Sequence, residues 1–251
     1  MHVTSVIWAF NFAGVLEPEV AELVSEVLCI VGHEMDRSGL RLHKMPTFQE
    51  GSHSGPDEPY VELDIGDMMV ICKPPGWEVD TEDVGHVRRL SQYLQYLCAW
   101  SWRSWAVSIL PSHGFVHRLD VPDSGLILTA KTSKAYWRLK FQLSVGTLMR
   151  DYVVMCHGFI PLERRKIKAR VYYSRLESNL QSTICQKGKP SMTSLKVLAH
   201  LARQQQNFSL VAIRIHTGRR HQIRTHMTHI GHPTVCDGKY TAPQTFLADR
   251  K

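Results

Sequence analysis

Three short segments of this 251-residue chain concentrate side chains able to do chemistry. The first is His117-Arg118-Leu119-Asp120, followed by Val121-Pro122-Asp123-Ser124-Gly125. A carboxylate on a loop between two strands is a common place for a catalytic group. The competing role for Asp120 is turn formation, its side chain accepting from a backbone N–H two residues on. Asp123 lies deeper in the turn and fits that second role better. The second segment is Arg150-Asp151-Tyr152, opening a strand. Tyr152 there could exchange a proton, stack on a base, or fill a core. The third segment runs over residues 217–233, TGRRHQIRTHMTHIGHP. It places Arg219, Arg220 and His221 at the start of a helix, where free N–H groups and the helix dipole favour phosphate. Arg224, one turn further in, is placed to meet a buried carboxylate.

His226, His229 and His232 repeat every third residue, which raises a metal site as an alternative. Three observations oppose it. His232 sits at the helix breaker, no acid lies close by before Asp237 and no cysteine before Cys236, and the three arginines repel a cation. A structural role for these histidines, capping and hydrogen bonding, is the expectation, with no metal.

Positioning those segments requires strands and helices of ordinary length. Residues 17–33 repeat apolar side chains at helical spacing behind Pro18 and an acidic first turn. Residues 46–59 hold Pro, Gly and Ser without period, which marks a linker or long loop. Residues 68–73 (MMVICK) read as a buried strand stopped by Pro74-Pro75-Gly76. Helices are expected at 89–98, 133–143 and 219–230. Strands are expected at 114–117, 126–131, 152–156, 169–173, 194–199 and 208–215. Strands and helices mix without βαβ alternation, so the fold class is α+β.

The composition is 43 % hydrophobic and 21 % charged, which excludes a wholly disordered or collagen-like chain. The net charge of +7 is unevenly spread. Residues 1–116 carry 7 Lys/Arg against 16 Asp/Glu, and residues 117–251 carry 23 against 7. Such asymmetry points to an anionic partner for the second part, or to two solvated faces of opposite sign. The six cysteines form no CxxC pair and fit a reducing compartment. No apolar run reaches the ~20 residues of a membrane span. Residues 6–16 are apolar but lack the positive flank of a secretory signal.

Taken in order, the motifs resemble the RluA-type family of RNA pseudouridine synthases over residues 59–240. Residues 68–76 (MMVICKPPG) are similar to its early strand and KPxG turn. Residues 117–132 (HRLDVPDSGLILTAKT) are similar to its signature around the catalytic aspartate. Residues 150–158 (RDYVVMCHG) resemble its tyrosine segment, and residues 217–240 its late Arg-His motif. The resemblance implies a central mixed, largely antiparallel sheet with flanking helices and a basic cleft. It implies Asp120 as catalytic carboxylate, Tyr152 as active-site tyrosine, and Arg224 paired with Asp120. Arg118, with His117, Arg219, Arg220 and His221, would hold RNA (tRNA or rRNA) with the target uridine flipped out. No cofactor, membrane or protein partner is implied, and a monomer is expected. The compartment is left at intracellular.

Residues 59–251 would be the catalytic domain, and residues 1–58 an acidic extension. Asp123 and Arg220 depart from the family pattern. After Tyr240 the chain reads TAPQTFLADRK, where family members continue with a further strand-forming segment, so a C-terminally truncated domain is expected. Those departures carry the alternative reading, a catalytically weakened RNA-binding protein of the same fold.

Overall fold

The structure, a computed structural model, describes residues 17–37, 57–80, 88–99, 110–174, 181–203 and 206–250. The chain divides into two compact units, residues 1–148 and 149–251. Each has its own antiparallel sheet, which agrees with the α+β class.

In the first unit β1 (Tyr60–Ile65) and β2 (Met68–Lys73) make a hairpin, and β3 (Gly125–Ala130) pairs on the other edge of β2. Side chains alternate along β2, so Met69, Ile71 and Lys73 point into the core while Met68, Val70 and Cys72 are half-buried. Helix α1 (Pro18–Arg37) and α2 (Leu90–Ala99) belong to the same unit. Helix α3 (Ser133–Val145) starts where Thr132 Oγ1 accepts from Ala135 N at 3.1 Å. Its Ala135, Tyr136 and Leu139 pack on Leu110, Val116 and Ala130.

Helix α1 differs in detail from the expected amphipathic pattern. Leu28, Ala21 and Val24 pack against Phe141, Trp137 and Val145 of α3, whereas Val20, Leu23, Val27 and Ile30 are exposed. The apolar periodicity therefore covers two faces, of which one is packed. Residues 114–117, expected as a strand, do not form one. A 3₁₀ turn, Pro111–Gly114, contains Ser112 and His113 in the left-handed region, and only Phe115 bridges to Thr129. Gly114 explains the break. Its φ is +82°, and a Cβ there would lie 2.3 Å from the Ala130 carbonyl oxygen.

The second unit holds β4 (Arg150–His157), β5 (Lys166–Tyr173), β6 (Ser182–Ile184), β7 (Lys189–Arg203) and β8 (Gln206–Ile215), in the order β4-β8-β7-β5-β6. Helix α4 (Gln222–His229) sends Met227 into a core with Cys156, Ile167, Leu195, Val211 and Ile213. The end of β4 is covered by residues 233–235, with His157 N donating to Pro233 O and Val235 N to Met155 O. A short α5 (Pro243–Asp249) follows. Neither β1, β6 nor α5 was anticipated. Five of the six residues of β1 are exposed, which erases the alternation that reveals a strand.

Of the expected linker at 46–59, residues 46–56 lie outside the described residues, as does the apolar stretch at 6–16; residues 57–59 form no helix or strand. No described helix is long and apolar enough to cross a membrane. Cys29, Cys72, Cys156, Cys185 and Cys236 are free, and burial pushes the Cys156 thiol up to about 12.

His226 is wholly buried, and its Nδ1 is 2.9 Å from Thr193 Oγ1. Burial pulls its imidazole from 6.5 down to about 4. Between those values only the unfolded chain takes up the proton, so stability falls as pH drops from 6.5 through 4. His226→Gln should flatten this acid limb by on the order of 2–3 kcal/mol in urea titrations run from pH 7 to pH 4. Parallel acid limbs for the two proteins would show that His226 is not its source.

Candidate active site

In the first unit the candidate residues are arranged around a buried cation. Strand alternation drives Lys73 into the core, where its side chain is 0 % exposed. Its Nζ donates to three carbonyl oxygens: Pro74 at 3.0 Å, Trp77 at 2.8 Å and Val121 at 3.3 Å. Gly76 N adds a 2.8 Å bond to Val121 O. The KPPG turn is thereby clamped to the residue that follows Asp120. Burial pulls the Lys73 ammonium down to about 8, while the charges of Asp123 and Asp120 hold it up. Both carboxylates thus lie within its field.

Asp120 is partly buried, and its carbonyl accepts from Asp123 N at 3.1 Å, closing the turn. Asp123 is exposed. His117 Nε2 accepts from Leu128 N at 3.2 Å, which ties the motif to β3. Leu119 is buried, and Arg118 reaches outward to within 3.5 Å of Glu78 Oε1. The motif alternates buried anchors with polar groups turned outward.

In the second unit Arg150 and Tyr152 share the inner face of β4, and Tyr152 packs on the core cluster. Asp151 points to the other face, where Arg214 holds it with two 2.6 Å bonds. The Arg214 bonds hold the Asp151 carboxyl below its ordinary range.

The late motif folds around a glutamine and an aspartate. Gln222 Oε1 accepts from Thr217 Oγ1 at 2.6 Å and from Arg219 N at 3.1 Å, while its Nε2 donates to Met192 O and Thr193 Oγ1. His221, at φ 52°, turns the chain into α4. The helix therefore begins at Gln222, and Arg219 and Arg220 precede it, in contrast to the expected start at 219. His221 is buried, with Nδ1 2.9 Å from Tyr240 Oη. Arg220 is exposed, its guanidinium 4.6 Å from the Tyr173 ring centroid. Arg224 makes a fork on Asp237, Nε to Oδ2 at 2.7 Å and Nη2 to Oδ1 at 2.5 Å. Asp237 also accepts from Thr234 Oγ1 and from the backbone of Lys239 and Tyr240. Burial alone would raise its carboxyl, but Arg224, Thr234 and Lys239 bring it below the ordinary range.

Among the expected site residues, Arg118, Arg219 and Arg220 keep outward or half-buried guanidinium groups. His117 and His221 are engaged in holding backbone and Tyr240. Arg224 was expected on Asp120, a residue of the other unit; within its own unit its carboxylate partner is Asp237. His229 is exposed, and His232 Nδ1 donates to His157 O at 2.8 Å. No metal-binding cluster occurs among the described residues. Sequence reasoning missed Lys73 and Asp237. For Lys73 the signal was available, because a lysine at the inward end of an alternating apolar strand must find acceptors.

A family model described as RNA pseudouridylate synthase matches residues 67–229. The uncharacterized RNA pseudouridine synthase YlyB of Bacillus subtilis (strain 168) is 34% identical over 190 residues, covering 74% of this chain and 60% of that protein. The ribosomal large subunit pseudouridine synthase D of Yersinia pestis is 33% identical over 199 residues, covering 76% and 56%. The chain thus spans less than two thirds of the length of these two relatives. The solved structure of human RNA pseudouridylate synthase domain containing 1 aligns with a TM-score of 0.59 at 23% identity, covering 78% of this chain and 74% of that one. Human RNA pseudouridylate synthase domain containing 4 aligns at 0.54 and 17% identity, covering 74% and 70%. These two likenesses are of fold.

Two variants test the scaffold. Lys73→Met should cost about 1–3 kcal/mol in urea denaturation, since three buried carbonyls lose a charged donor. An unchanged midpoint would remove Lys73 as the clamp. Asp237→Ala should cost about 3–5 kcal/mol by stripping a buried guanidinium of its fork, and Arg224→Met added to it should recover part of that loss. A double variant as unstable as the sum of the two single ones would show that the pair acts as separate contacts.

Proposed function

We propose, given that this chain belongs to the RNA pseudouridylate synthase family, that it isomerises uridine to pseudouridine within structured RNA. Residues 59–251 form the catalytic domain in this reading, and residues 1–58 an accessory extension. The N1–C1′ bond breaks, the uracil turns over, and C5 bonds to C1′. A proton leaves C5 and N1 gains one, so the reaction is balanced without a cofactor. The sugar carbon becomes electron-poor, as in glycoside hydrolysis, where an ionised carboxylate adds to it or stabilises it. Asp120 takes that role. Arg224, held by its fork on Asp237, is the arginine of this reading. Tyr152 serves as the base toward the uracil or as its stacking partner. Water must be excluded, or the cleaved sugar would hydrolyse and release free uracil.

The observation that carries this reading is the clamp on Val121. A reacting carboxylate must be held within a fraction of an ångström, and Lys73 with Gly76 fixes the backbone immediately after Asp120. Arg118, Arg219 and Arg220 contact RNA phosphates, offsetting the few kcal/mol needed to unstack the uridine. The RNA is tRNA or rRNA, and the protein acts as a monomer. Asp123, the carboxylate that motivated a weakened enzyme, is exposed.

The test is tritium release from RNA labelled at uridine C5. Wild-type protein should release tritium, Asp120→Ala should fall to background, and Tyr152→Phe should slow turnover by roughly 10²–10⁴-fold. Equal release by wild type and Asp120→Ala would overturn the assignment of Asp120. RNA binding with no release from any uridine of cellular RNA would favour the weakened reading.

A further inference from the structure

Arg150 is a mostly enclosed cation of the second unit for which the described residues supply no carboxylate. Its Nε is completely buried and has no hydrogen-bond partner among the described residues. Its neighbour in sequence, Asp151, is turned to the opposite face of β4 and held there by Arg214. Burial pulls the Arg150 guanidinium below its ordinary value, and the one group that opposes this is the Tyr152 phenol. The guanidinium lies against the backbone of Gly218, where a Cβ would sit 2.6 Å from Nη1. A side chain at 218 would push it away.

The next residue adds a second positive charge. Arg219 is half-buried, and burial first, then the charge of Arg150, lowers its guanidinium. Its backbone is fixed by Gln222, and its Nη2 reaches Pro190 O at 3.4 Å. His216 stands in the same field. Burial, then Arg214, Lys166 and Arg150, lower its imidazole, with Asp151 opposing. Two guanidinium groups held within each other's repulsion, each with an enclosed Nε that makes no hydrogen bond among the described residues, are costly in the empty state. An anion with several acceptor oxygens relieves both costs, and the planar fork of arginine matches phosphate.

We propose that Arg150 and Arg219, with the bare backbone of Gly218 between them, form a phosphate-binding site beside Tyr152, and that it takes a phosphodiester of the RNA. The occupant's identity as RNA rests on the proposed function; the anion site itself rests on the side chains alone. The site would fix the backbone next to a base presented to Tyr152.

The test uses uridine 5′-monophosphate, uridine and inorganic phosphate, titrated into the full chain and followed by ³¹P and ¹H NMR into the millimolar range. Wild type should bind the nucleotide saturably and at least about tenfold more tightly than uridine. Arg150→Gln should bring the nucleotide to the level of uridine, and Arg150→Lys should keep part of the preference, as a point charge without the fork. Arg219→Gln should show the same loss, which secures the test should Arg150→Gln fold poorly. The melting temperature of Arg150→Gln should be equal or higher, because an unsatisfied buried charge is removed. A nucleotide preference unchanged in both glutamine variants overturns the site. Inorganic phosphate binding more tightly than the nucleotide overturns RNA as its occupant. Tritium release by wild type reports separately on the catalytic reading, so each can fail without the other.

Discussion

A cation enclosed in a protein must be given acceptors, and this constraint organises both units. Lys73 is carried into the core by the alternation of β2, and three carbonyls close around it. Those carbonyls come from the KPPG turn and from the residue after Asp120, so solvating one ammonium fixes the loop. Arg224 is carried inward on α4 and is met by Asp237, which gathers Thr234, Lys239 and Tyr240 around itself. The charge demands the contacts, and the contacts shape the loops. Arg150 obeys the same rule with the acceptor left to come from outside.

Much of this frame was legible in the sequence where period and burial coincide. Residues 68–73 alternate visibly, and β2 occupies those residues. A helix is expected at 133–143, and α3 extends two residues further, between the Thr132 cap and Gly146. The failures have specific causes. Gly114 demands a left-handed turn beside Ala130, which defeated the apolar run read as a strand at 114–117. Gln222 knots residues 217–219 before helical bonding begins, so α4 starts three residues late. β6 has three residues and no periodic signal.

The chemical groups divide the same way. Asp120, Tyr152 and the arginines of the late motif stood out because their order matches a family. Asp237 did not, since an aspartate after a short turn has many uses and its partner lies thirteen residues back in the chain. His117 and His221 drew attention as polar groups in a motif, yet their nearest business is holding backbone and Tyr240. A motif therefore mixes reacting groups with the groups that aim them, and only contacts separate the two. The histidines at 226 and 232 make the same point, with Thr193 and the His157 carbonyl as their partners.

The β1–β2 hairpin has a further consequence for how the chain tolerates changes in length. Its register shifts between Val61 and Leu63, so Glu62 is an extra residue absorbed as a bulge in β1. A residue gained or lost in that outer strand can be taken up the same way, because five of its six residues already face water. The inner strand has no such slack. One residue added between Met69 and Lys73 would invert the parity of everything beyond it, sending the ammonium to solvent and an apolar neighbour out of the core. Insertions and deletions in this hairpin are therefore sorted by strand: silent on one side, and on the other enough to unfasten the loop that carries Asp120.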